Sequence, residues 1–400
     1  MDASAARIEK SVVINGDYEG IHGQYAYGNP QRWGMRSTGL YAPPGETIRI
    51  TLPDGFAPNG LGVLLGAHLD DLSQKESPAR DSVVTVRVTL GDGATEVSNP
   101  HGGLIYITVD AGAKRGLVDV VIEGGIDAPL FVAGETPLEA WNQSIRTHPA
   151  PWGELASSKI ILTLPSDLLR TLKNPDEVLA FWDRVLDADA DLSGFSRDRA
   201  RPERIVVDIE ISAGWMHSGY PVMAPLSTGP DLLNLERLTT EGDWGFFHEL
   251  GHNHQWMDWT VPGTTETGCN LFTVYVYETV VGKHRNETHG AVSLEERTKR
   301  TRAYLADPDI SRWSVWVALD MYLLLQDEFG WEAFTNVFTE YRDKFATERP
   351  QDAQEKWDMF AVRFSREVGW DISPFLLSWD WPLSESALRD VAHLPPWSGN

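Results

Sequence analysis

The stretch GDWGFFHELGHNHQWMDW, Gly242–Trp259, decides how the rest of the chain is read. Two histidines stand four residues apart, with a glutamate directly after the first. On a helix, residues i and i+4 share a face, so His248 and His252 can reach a single ion. Glu249 points in a neighbouring direction, where it stays off the ion and can take a proton from a water beside it. A chance HExxH arises in about one chain in fifty of this composition, so the surroundings must decide. Trp244, Phe247 and Leu250 give the helix an apolar side, which argues for partial burial. Gly251 lowers helix propensity inside the motif, so another backbone or a ligand is expected to pass close by. Thr240 followed by Asp243 reads as a capping box that starts the helix just ahead of Trp244.

A catalytic zinc site takes three protein ligands and keeps one position open. Glu266 is the best third candidate, because PGTTETGCNLFTVYVYE begins a second helix whose early carboxylate can swing back onto the first. Asp258 is a poorer choice. Its spacing suits a sharp turn usually made by glycine, and Gln255 stands there. Glu278 sits three turns deeper and reads as a structural partner. His254 lies on another helix face, as a surface or supporting residue. Asn270, one turn after Glu266, could orient that carboxylate or a substrate carbonyl, with helix packing as the alternative. Cys269 reads as inert packing. For a group that stabilises the developing oxyanion, His284, His289, Tyr275 and Tyr322 are unranked candidates.

Working outward, residues 37 to 145 hold short β-rich runs (ETIRITL, LGVLLGAH, SVVTVRVTL, GGLIYITV, GLVDVVIEGG) broken by turn residues, the pattern of an antiparallel sandwich. The stretch Thr147–Ser158 reads as the crossing into a second domain. Beyond it, KIILTLP and ERIVVDIEI flank a helical NPDEVLAFWDRVLDADA. Amphipathic runs follow near 242–257, 265–282, 294–306, 313–329, 331–346 and 351–368. The expected fold is therefore α+β, with a lead-in over 1–36, a β-sandwich over 37–146, and a zinc-site domain over 147–400 that has a small mixed sheet and a mainly helical C-terminal part.

Composition sets the outer limits. The 400 residues are 42% hydrophobic and carry a formal charge of −24, which disfavours nucleic acid as a partner. No run is long and apolar enough for a membrane span. The start shows no secretory leader. Cys269, the single cysteine, excludes an internal disulfide. Sixteen tryptophans are an excess; most are expected in the core, and exposed ones would suit stacking on sugars or gripping a partner. In SAGWMHSGYPVMAP, Ser212–Pro225, glycine and proline are expected to leave a sheet edge open to an extended peptide, with Trp215, His217 and Tyr220 flanking it.

The segments GDWGFFHELGHNHQ and ETGCNLFTVYVYE, with TGLYAPPGETIRITLP, NPHGGLIYITV, PAPWGELASSKIILTLPS and SGYPVMAP upstream, resemble the enhancin-like, mucin-degrading zinc metallopeptidases, peptidase family sixty of the gluzincin group. The resemblance spans roughly residues 37 to 345. It implies a sandwich leading into a thermolysin-like catalytic domain. It also implies His248, His252 and Glu266 as zinc ligands, Glu249 as the base, and O-glycosylated, mucin-type proteins as substrate. On that reading the protein is a monomer, secreted or held at the cell surface, and this chain, with no appended lectin-like module, is a minimal version. Two rivals remain: a non-catalytic glycan-binding module and a peptidase acting on unglycosylated chains.

Overall fold

The computed structural model describes residues 4–21 and 33–399, which fall into two compact units. The first takes residues 4–21, 33–183 and 198–235; the second takes 184–197 and 236–399.

Eight antiparallel strands open the first unit: β1 (Ile8–Asn15), β2 (Trp33–Ala42), β3 (Thr47–Thr51), β4 (Leu61–Leu65), β5 (Val86–Thr89), β6 (Ala94–Ser98), β7 (Gly103–Asp110) and β8 (Leu117–Asp127). Their order is β5-β4-β7-β2-β8-β3-β6, with β1 also on β8. Long β8 belongs to both layers, pairing β1 and β3 along its length and β2 at Ile126 and Asp127. Alternate residues of the two layers meet in one core: Ile48, Ile50, Val118, Val120 and Ile122 with Leu61, Val63, Leu65, Ile105 and Ile107. That alternation marks a sheet with one face on a core. β4 is instead buried at every position, because its outward residue Leu64 joins Tyr106, Met35 and Leu104 in a second cluster with Val206, Tyr220 and Met223.

That second cluster is completed by a five-stranded sheet in the order β13-β12-β11-β10-β9, formed by β9 (Leu130–Val132), β10 (Trp152–Ala156), β11 (Ile160–Pro165), β12 (Glu203–Asp208) and β13 (Val222–Pro225). β10 and β11 pair antiparallel and the remaining pairs are parallel, so the sheet is mixed as expected. The helix Pro175–Ser193 connects parallel β11 and β12, the role such a crossover requires.

Two expectations change. The sheet begins well before residue 37: β1 pairs with β8 along its whole length, and its alternating half-exposed pattern is a weak sequence signal. The edge at β13 is also less open than its composition suggests. The chain reverses through Gly219–Pro221, and His217 exchanges both backbone hydrogen bonds with Met223, at 3.1 and 3.0 Å.

The second unit is helical. The motif helix Trp244–His254 is followed by Thr265–Val276, Leu294–Leu305, Val315–Asp343 and Ala353–Val368. Gly330, at φ 77°, breaks the fourth of these where two amphipathic runs meet. Apolar faces of these helices share one core containing Leu271, Phe272, Leu319, Phe334, Phe338, Phe360 and Phe364.

Candidate metal centre

Asp243 starts the motif helix. Its Oδ1 accepts the Phe246 N–H at 3.1 Å, while Oδ2 accepts from Arg237 Nη1 at 2.9 Å. The cap is thus Asp243 alone, not a box begun by Thr240, whose hydroxyl donates to the Glu236 carbonyl at 2.8 Å. Gly251 lets the helix Thr265–Val276 approach. A Cβ there would lie 2.8 Å from the Cys269 carbonyl oxygen and 3.0 Å from the Phe272 Cβ.

This close crossing brings three predicted ligands together. Glu266 Oε2 lies 3.2 Å from His248 Nε2 and 3.4 Å from His252 Nε2. Donors bound at ~2.0–2.1 Å around a tetrahedral zinc stand about 3.3–3.4 Å apart, so these spacings fit.

Hydrogen bonding fixes which ring nitrogens are available. Asn270 Oδ1 accepts the Trp244 indole N–H at 3.1 Å and meets His248 Nδ1 at 2.7 Å. An indole N–H only donates, so the amide atom there is the oxygen, and His248 Nδ1 must carry a proton. The same logic holds at His252. Gln255 Nε2 donates to the Thr265 carbonyl at 2.6 Å, which turns its Oε1 toward His252 Nδ1 at 2.8 Å. A carbonyl only accepts, so this Nδ1 is protonated as well. Both Nε2 lone pairs are left for a cation.

Without an ion, a proton on His248 Nε2 faces the ionised Glu266 carboxylate instead. Burial lowers the His248 pKa, but bonds to Glu266 and Asn270 and the charge of Glu249 outweigh it and leave it raised. Hydrogen bonds from His248 and then His252 hold Glu266 far below the usual carboxylate range, against burial. Cation and protons therefore compete for one set of atoms.

Cys269 is gathered into the same cluster. Its Sγ is 3.4 Å from both ring nitrogens of His248, so the sulfur lies against the ring rather than along the Nε2 lone pair. Burial pushes the thiol well above its ordinary range, and its hydrogen goes to the Glu266 carbonyl. It stays a packing thiol. Glu249 is buried on the motif helix.

Other candidates fall elsewhere. Asn270 is buried, and it orients His248 rather than Glu266 or a substrate carbonyl. His254 is buried rather than superficial, donating Nδ1–H to the Leu250 carbonyl and facing Asp189 at 3.7 Å. Asp258 pairs with Arg349 at 3.0 Å. Glu278 accepts from Arg285 and Trp331. Tyr220 is only 4% exposed, its ring covered by the Arg201 guanidinium at 3.3 Å, so it offers no free face to a substrate. Trp215, in the first unit, is 69% exposed. Tyr322 is buried, His284 accepts a loop N–H, and Tyr275 packs on Trp331. His289 stacks on Trp316 and packs tilted against Trp244, whose indole N–H goes to Asn270. The sequence singled out Gln255 only as the residue that blocks the Asp258 turn, and its bond to His252 went unread. An amide three residues past His252, at a helix end, was the available signal.

The model of Peptidase M60, enhancin and enhancin-like, matches residues 124–380, and that of the N-terminal domain of M60-like peptidases matches residues 5–123. The chain belongs to this metallopeptidase family. TRPM8 channel-associated factor 1 of Homo sapiens is 41% identical over 371 residues, 92% of this chain and 40% of that protein. The chain thus spans about two fifths of the length of the curated relatives it matches. A functionally unknown conserved protein from Bacillus anthracis str. Ames, solved as a mutant, superposes with TM-score 0.79 at 24% identity, covering 98% of this chain and 80% of that one. IMPa from Pseudomonas aeruginosa, in complex with an O-glycopeptide, gives TM-score 0.66 at 17% identity over 99% and 52%. At such identities these two structures carry the fold alone.

Proposed function

We propose that the protein is a zinc endopeptidase that cuts O-glycosylated, mucin-type proteins. The observation that carries this reading is the convergence of His248 Nε2, His252 Nε2 and Glu266 Oε2 at 3.2 and 3.4 Å. These three residues hold the ion. When bound, zinc supplies Lewis acidity, which polarises a carbonyl and brings the pKa of a water toward ~7. Glu249 is the base: it takes the proton of the attacking water and returns it to the leaving amine. Asn270 and Gln255 keep the two imidazoles in the ligating tautomer.

The glycosylated substrate is supported by family membership and by the O-glycopeptide bound to IMPa. Exposed Trp215 offers a face for a sugar or a flanking side chain. A mucin-type target implies action outside the cytoplasm. Among the described residues, no helix is long and apolar enough to cross a membrane.

The test is cleavage of a mucin-type glycoprotein, expected to stop with chelator, return with zinc and be absent in E249Q with zinc retained. Protein purified without chelator that contains no zinc and cuts nothing would sink the proposal. A second reading, association with another protein without cleavage, is favoured by the name of the 41%-identical relative. It predicts binding that chelator leaves untouched. Cleavage indifferent to prior deglycosylation would instead favour an unglycosylated substrate.

A further inference from the structure

Gln255 ends the motif helix, and its side chain is wholly buried between the two segments that carry the ligands. Its backbone N–H closes the helix onto the carbonyls of Gly251 and His252, at 3.0 and 3.2 Å, which fixes where the side chain starts. From there one planar amide makes two bonds in opposite directions. Oε1 receives the His252 N–H, and Nε2 donates to the carbonyl of Thr265, the residue immediately before Glu266. The amide has no slack. Gly268 faces it, and a Cβ there would stand 2.1 Å from Nε2 and 3.2 Å from Cδ.

We infer that Gln255 is a positioning residue that ties the second and third metal ligands into one rigid unit, with Gly268 as the opening that admits it. The inference rests on the zinc reading above. Asn270, by contrast, orients His248 alone among the ligands. Gln255 sets both the tautomer of His252 and the distance of the Glu266 segment from it, through a single plane that cannot rotate without breaking one of its two bonds. Glutamine at this position therefore does the opposite of what it does to the Asp258 alternative: it excludes the turn that ligation by Asp258 needs and secures Glu266 in its place.

The experiment measures the zinc affinity of the full chain by competition with a chromophoric chelator, alongside thermal melting of the metal-free protein. Q255M keeps the length and removes both bonds; zinc is expected to bind about 10–100-fold more weakly, the usual cost of losing a ligand's outer partner. G268A, which leaves Gln255 in place but expels its amide, is expected to fall in the same range. Q255E keeps an acceptor for His252 and has no hydrogen for Thr265, so it should recover part of the loss. D352A removes the cap of the helix Ala353–Val368 and serves as the control for lost stability alone. It should melt lower and bind zinc as wild type does. Should Q255M not fold, G268A and Q255E decide the question. Q255M or G268A binding as tightly as wild type, or D352A weakening zinc equally, overturns the inference and leaves the zinc reading intact. Wild type that binds no zinc overturns both.

Discussion

The amide of Asn270 takes two hydrogens on one oxygen, from Trp244 and from His248. Replacing it with alanine frees the imidazole to turn and leaves two half-buried donors without their acceptor, each costing at most roughly 1–3 kcal/mol. N270A should therefore bind zinc about 10–100-fold more weakly, whereas N270D, which keeps an acceptor, should bind within a few-fold of wild type. Equal weakening in both would mean that the acceptor oxygen is not what Asn270 supplies. The histidine pair and the position of Glu249 were legible in the sequence because their relation is local to one helix. The partner of Asn270 was not, because it depends on how two helices cross, and the sequence offered Glu266 or a substrate carbonyl on one side and plain helix packing on the other. The same limit hid the bond of Gln255 to His252 and placed Tyr220 at a surface it does not reach.

At the scale of elements, the crossing of the motif helix with Thr265–Val276 depends on Gly251. Alanine there would gain at most ~1 kcal/mol of helix propensity. Its Cβ, 2.8 Å from a carbonyl oxygen and 3.0 Å from the Phe272 Cβ, must push the helices apart at about 1–3 kcal/mol. Overpacking wins. G251A should lower the melting temperature and weaken zinc, and an unchanged or raised melting temperature would show that the crossing has room to spare. The loop before β13 presents a different case. Asp70 accepts from the Ser212 N–H at 2.6 Å and meets His217 Nε2 at 2.8 Å, and Glu210 accepts from Lys75 at 2.8 Å, so exposed Trp215 stands on a pinned support. An anchor already ordered costs little to use. If it contacts the glycan, W215A should weaken binding of a glycosylated peptide about tenfold, the ~1.4 kcal/mol of a modest aromatic anchor, and hardly change binding of the bare peptide. Equal loss on both would assign Trp215 to the peptide or to packing, and no loss would remove it from substrate binding.

For the whole molecule, the order of a sandwich, a mixed sheet and then helices was legible because each segment has its own hydrophobic period. What was not legible were β10, a buried strand inside the Pro-containing stretch read as a crossing, and a first strand whose outer face is polar. Net charge is a property of the same scale that needs no fold to be read. At −24 the chain repels anionic ligands at long range, so a sialylated substrate must be held by local contacts against an opposing field. Salt shortens that field: the Debye length falls from ~30 Å at about 0.01 M to ~8 Å at about 0.15 M. The contacts within the site act over a few ångströms and change little across this range. For paired sialylated and desialylated forms of one glycopeptide, kcat/KM on the sialylated form should therefore rise with ionic strength while the desialylated form stays nearly flat. A fall on the sialylated form instead would reveal a locally basic approach to the site that outweighs the total charge, and the effect of salt would then be read as lost attraction rather than relieved repulsion.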